Sequence, residues 1–245
     1  MADFRGMKLG RKPASFDRAP LLGSLPSYSL MPVAVAPVDY SKKVPTYPML
    51  MNDKLGDCAE AGLLHMLQTF KAEGGQIAIP DDQSVVELYH LGAGYDGTPA
   101  TDQGSSLNGL LSFGQKSPTG IPYAQGQDPE FIKAYAYVDH LDYQHVTNCI
   151  SNFVGLLTGV QLRQSQMTQD IWDADSSVVI GGHCIYTCGF NLKGPIIVSW
   201  GKVIQTTWAW WTQSVEEAWV VLNTDFTGSG DNFTKLVNEA YALTA

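Results

Sequence analysis

The chain has 245 residues, of which 44% are hydrophobic and 16% charged, the balance of a globular protein with a sizeable core. The net charge of −9 is uneven: residues 1–49 carry seven Lys/Arg against three acids, for +4, so the remainder is −13. An acidic body argues against nucleic acid in its main site, and four cysteines in this length do not make a disulfide scaffold. No apolar run approaches the roughly 18 to 20 residues of a membrane span, and the N-terminus lacks the unbroken apolar stretch of a secretory signal.

Residues 1–49 hold seven of the thirteen prolines, which predicts an extended, basic arm with little internal helix. Ordering such an arm requires a surface to pack on. A neighbouring subunit is the expected one, with Leu21, Leu22, Leu25, Tyr28 and Leu30 buried only against other chains and the body able to fold without residues 1–44. The alternative is a strap or plug in the body's own cleft.

In the body, residues 50–245, Leu63, Met66, Leu67 and Phe70 fall at helical spacing and Gly74-Gly75 ends the run, so a helix is predicted over 58–73. Further helices are expected at 83–91, 105–115 and 143–154. Strand-like runs follow at 156–162, 183–190, 195–200, 203–211 and 217–223. Helices first and strands later predict an α+β architecture, a helical lobe over about 50–142 and a β-rich lobe over 143–245, with a cleft between them.

Gly56-Asp57-Cys58 opens the first helix, and Gly181-Gly182-His183 opens a strand 125 positions later. A cysteine at a helix start, paired with a distant histidine, is a pattern for a thiol nucleophile and its base. The helix dipole and free N–H groups favour the thiolate, whereas Asp57 opposes it. The plainer reading is a small buried cysteine. Cys184 and Cys188, four apart on a strand, lack metal-ligand spacing and read as buried thiols, so no metal or other cofactor is called for. His65 reads as a helix contact, and His90, His140 and His145 as ordinary polar residues. Trp208, Trp210, Trp211 and Trp219 suit a sugar-stacking platform but are better explained as core. Glu216 and Glu217, adjacent on a strand, should point to opposite faces and so cannot flank one bond. Gly228-Ser229-Gly230-Asp231 reads as a turn, not a phosphate loop.

Taken together, these segments resemble the papain-like cysteine peptidases. Asn52 lies six positions ahead of Cys58, as the family's oxyanion amide does. Asp102-Gln103-Gly104-Ser105, with Gly120-Ile121-Pro122-Tyr123, resembles its glycine lip. Gly182-His183 followed by Gly189-Phe190 resembles the base-bearing strand, and Ser199-Trp200-Gly201 the segment after the orienting asparagine. The likeness spans about 50–225, and the Gly-Asp-Cys and Gly-Gly-His forms look most like bacterial and phage variants. It implies a papain-like two-lobe fold with an N-terminal helical lobe and a C-terminal antiparallel β lobe. It also implies catalytic roles for Cys58, His183 and Asn52, with substrate contacts at Gly104, Ser105, Gly182 and Trp200. Val198 stands where the family has its asparagine, leaving Ser199 as a substitute that a regular strand should turn away from the ring. Three functions follow. The first is a thiol hydrolase, a peptidase or amidase acting on a peptide-like substrate. The second is a retired papain-like body serving as a virion or other assembly component through residues 1–49. The third is a non-cleaving module that grips a peptide or cell-wall fragment. The expected location is the cytoplasm or a phage virion, with no membrane partner.

Overall fold

The computed structural model describes residues 3–223 and 231–245; Gly228-Ser229-Gly230, read from the sequence as a turn, lie outside them. A mixed sheet forms the centre. Its strands are β1 (Val38–Asp39), β2 (Ile132–Tyr137), β3 (Leu156–Arg163), β4 (Ile171–Trp172), β5 (Val179–Phe190), β6 (Pro195–Ser199), β7 (Lys202–Thr206) and β8 (Val215–Asn223). The order is β2-β8-β3-β5-β6-β7-β4, with β1 paired to β5; all pairs are antiparallel except β4 with β7. The helices are α1 (Cys58–Glu73), α2 (Asp82–Ala93), α3 (Leu107–Lys116), α4 (Tyr143–Phe153), α5 (Trp208–Ser214) and α6 (Asp231–Thr244).

Local chemistry sets most helix starts. The side chains of Asp81, Ser106, Asp142 and Thr207 accept backbone N–H groups of α2, α3, α4 and α5 respectively. Helix α2 stops at Gly94, whose positive φ of 78° suits a residue without Cβ. The four expected helices and most expected strands form close to their predicted limits. The 203–211 strand does not: it ends at Thr206, and Thr207 caps the short helix α5, so the period-two spacing of Trp208 and Trp210 mimics a strand. Besides the two-residue strands β1 and β4, helix α6 and strand β2 lie outside the expected set. Helix α6 follows the helical spacing of Phe233, Leu236, Val237 and Ala240, all buried. Strand β2 reads Ile-Lys-Ala-Tyr-Ala-Tyr and is buried on both faces in its centre, so no clean alternation marks it.

Two hydrophobic clusters divide the core. One joins α4, α5 and α6 to Ile185, Trp172, Trp200 and Trp210. The other gathers α1, α2 and α3 against Cys184, Tyr186, Val198 and Trp219. Trp210, Trp211 and Trp219 are fully buried, as core packing requires. Cys184 and Cys188 are buried free thiols. Helix α1 is buried on almost every face, and the arm's end meets two of its polar side chains. His65 Nε2 lies 2.8 Å from the Pro48 carbonyl and Gln68 Nε2 2.8 Å from that of Thr46.

The arm corrects an expectation at Leu22 and Leu25, whereas Leu21 and Tyr28 are half-buried and Leu30 is exposed. Short 3-10 turns at Leu22–Ser24 and Pro26–Leu30 lay it over its own body. Leu22 and Leu25 are buried within the single chain, and Phe4 packs 4.9 Å from Trp200 between ring centroids. These residues need no second chain because the body leaves an apolar face beside α4 and α6 that the arm covers.

Candidate active site

Cys58 occupies the first turn of α1, preceded by Asp57, whose side chain makes no cap hydrogen bond. The thiol is 1% exposed. Burial pushes its pKa up to about 12, the backbones of Cys184 and Gly10 pull it partly down, and Glu60 and Asp57 add to the rise. Burial, not the neighbouring acid, is therefore the main opponent of the thiolate. Asp57 itself is driven well above the usual carboxylate range, chiefly by burial, then by Glu60. Burial likewise raises Glu60 to about 7, against the hydrogen bond it accepts from the Ser105 hydroxyl.

His183 stands on β5, fully buried. Its Nε2 is 2.8 Å from Ser199 Oγ, while Nδ1 has no hydrogen-bond partner, so no hydrogen bond joins this ring to the Cys58 sulfur. Burial, aided by the charge of Arg11, lowers its pKa to about 3. Ser199 thus faces the ring, contrary to expectation. The β5–β6 register sets Tyr186 opposite Val198, and residues directly opposite share a face. His183 has the other parity and meets Ser199, whereas Val198 packs in the α1-side core. Trp200 and Gly201, with φ of 47° and 68°, form the two-residue β6–β7 hairpin turn. That left-handed backbone, unusual for tryptophan, lays the indole on the imidazole at 4.3 Å and 21°.

Asn52 is buried, and its Nδ2 donates to Asp57 Oδ1 at 3.1 Å. Gly104 belongs to a network not apparent from spacing. Asp102 Oδ1 accepts from the Gly56 N–H at 2.8 Å and from the Tyr89 hydroxyl at 3.0 Å, and Tyr89 in turn accepts from the Gly104 N–H at 2.7 Å. This ties the loop before Cys58 to the glycine segment. Tyr89, at a buried helical position of α2, gives no sequence signal of this role.

The arm runs through this site. Gly10 O accepts from the Ser105 N–H at 2.9 Å, and the Lys12 N–H donates to Ser105 O at 2.9 Å. On the other side the Arg11 N–H donates to Gly182 O at 3.3 Å. A Cβ on Gly10 would stand 1.7 Å from the Gly56 carbonyl oxygen, so only glycine passes there. Gly104, Ser105 and Gly182 are therefore brought together, around the chain's own residues 10–12.

The fold is that of the papain-like cysteine proteases. Xylellain, a cysteine protease from Xylella fastidiosa, superposes with a TM-score of 0.62 at 15% identity, over 91% of this chain and 97% of that one. The ragweed pollen allergen Amb a 11, a cysteine protease in its proform, gives 0.61 at 16% identity over 83% and 71%. ProCathepsin B from Trypanosoma congolense gives 0.58 at 9% over 88% and 86%. Neither a family model nor a curated protein matches the sequence.

Proposed function

We propose that the chain is a papain-like thiol hydrolase acting on peptide or amide bonds, seen with its own arm in the substrate cleft. The observation that carries this reading is the extended backbone of residues 10–12, hydrogen-bonded between Ser105 and Gly182 beside the Cys58 helix start. A surface that holds one extended peptide by its backbone holds another in the same way.

In the closed chain thiol and imidazole are both neutral, since burial disfavours either charge. Once the arm leaves, water lowers the thiol pKa and raises that of the ring. His183 Nδ1, free because Ser199 holds Nε2, takes the Cys58 proton, and the thiolate attacks the carbonyl carbon. The Cys58 N–H and the Asn52 amide hold the oxyanion. His183 returns the proton to the departing amine, and water, activated by the same ring, releases the acyl group as acid.

Two further readings, a retired body that serves an assembly and a non-cleaving module that grips peptide, are favoured by the fully buried thiol and by Val198 at the orienting position. The arm's packing on its own body takes away the main support of the assembly role alone. The test uses full-length Gly10→Ala, which forces residue 10 from Gly56 without touching the body. Iodoacetamide should label residue 58 at least tenfold faster than in the native chain, and peptide amides should be hydrolysed, with Cys58→Ala abolishing both. Rapid labelling without hydrolysis of any peptide in a mixed library would leave the non-catalytic reading.

A further inference from the structure

Arg11 does more than cross the cleft: its side chain, 1% exposed, enters a pocket between β3 and β8. Nη1 meets Glu217 Oε1 at 2.7 Å, and Nη2 pairs with Glu216. The two adjacent acids converge because the β3–β8 register shifts between Gly159 and Val160. Gly159 faces Glu217 and Val160 faces Val215, so Glu216 is the extra residue of a bulge. The expectation that the pair points to opposite faces fails for that reason.

The pocket belongs to the body and does not depend on the arm for its shape. Glu217 Oε2 accepts from Trp219 Nε1 at 2.7 Å, and Gln161 Nε2 holds the Glu216 carboxylate at 3.1 and 3.2 Å. Gly159 supplies the room: a Cβ there would stand 2.7 Å from Arg11 Cδ and 2.6 Å from Glu217 Cγ. Among the described residues Arg11 is the cation paired with Glu217. When the arm leaves, Glu217, which is 1% exposed with Arg11 in place, loses that cation and opens to solvent on the side Arg11 occupied, leaving two converging carboxylates that favour another cation. The pocket lies one residue from Gly10, which covers the thiol.

We propose that this pocket selects the substrate and takes an arginine side chain, so that the cleft prefers peptides with a basic residue beside the one at Cys58. This rests on the hydrolase reading above and gives its substrate class. Two carboxylates set for two terminal nitrogens favour arginine over lysine, and both over neutral side chains. The body's −13 charge draws such peptides in.

The test uses the full chain carrying Gly10→Ala and Arg11→Ala, which frees the cleft and empties the pocket. Acetylated tripeptide amides differing only in one residue (arginine, lysine, glutamine or leucine) are titrated calorimetrically into its Cys58→Ala form. The arginine peptide should bind at least tenfold tighter than the glutamine and leucine peptides, and Glu217→Gln should erase the difference. Equal affinities, or binding of none, overturn the pocket assignment. If Glu217→Gln does not fold, Glu216→Gln at the rim takes its place, and unchanged selectivity there overturns it too. Hydrolysis of the same peptides by the Cys58 form separates the two claims. Arginine-selective binding without cleavage keeps the pocket and removes the hydrolase, whereas cleavage indifferent to arginine does the reverse.

Discussion

At Cys58 two opposed influences act on one sulfur. A helix N-terminus lowers a thiol pKa, yet burial carries this one to about 12. Iodoacetamide should therefore label residue 58 of the native chain roughly a hundredfold more slowly at pH 8 than a free model thiol; an equal rate would show that the arm does not cover it. Glu60 offers a pH test. Its pKa of about 7 when folded, against 4.5 unfolded, means that the folded chain keeps a proton the unfolded chain has released. The stability it contributes is full below pH 4.5 and is lost as pH rises through 7, a change of about 3 kcal/mol. Glu60→Gln should then gain stability relative to the native chain as pH rises from 5 to 8, and denaturant melts at the two ends check it. Ser199→Ala removes the Nε2 partner of His183 and should lower the activity of the opened Gly10→Ala chain while costing about 1 kcal/mol of stability. The family resemblance makes asparagine at 198 an attractive repair, but Val198 packs in the core away from the ring. Val198→Asn should cost about 1 to 3 kcal/mol and gain no activity, as thermal melts and peptide hydrolysis would show.

Among the elements, the arm departs furthest from its composition. Seven prolines limit its internal hydrogen bonding, but Phe4, Leu22 and Leu25 are buried in one cluster with residues of the body. Leu22→Ala should cost about 2 to 5 kcal/mol, and deletion of residues 1–44 should destabilise the body instead of leaving it intact; urea melts measure both. The packing of Phe4, Leu22 and Leu25 should hold the arm without covalent continuity to the body. Val33 and Val35 are exposed, Val35 at 94%, so a protease should nick the segment around 33–36. The nicked chain should still carry residues 3–32 through gel filtration and remain unlabelled at Cys58. Loss of the fragment on nicking alone would show that the arm is tethered instead of packed.

For the whole molecule, the legible part is whatever repeats locally or carries a motif in order. The apolar spacing of α1 places Cys58 at a helix start, glycines place His183 on a strand, and the succession of weak motifs along 50–225 carries the papain-like fold. The spacing that marks α6 is equally present, whereas the doubly buried β2 and the two-residue β1 and β4 carry no period to read. What the sequence by itself determined was thus most of the elements and the order of the motifs that carries the fold, because helical and strand periods are properties of neighbouring residues. Only the tertiary structure decided that residues 10–12 run between Ser105 and Gly182, that Ser199 and not residue 198 meets the ring, and that Glu216 and Glu217 converge on Arg11. Each depends on strand register, a bulge or the fit of a distant segment into a face left open, and those are fixed by contacts between residues far apart in the chain.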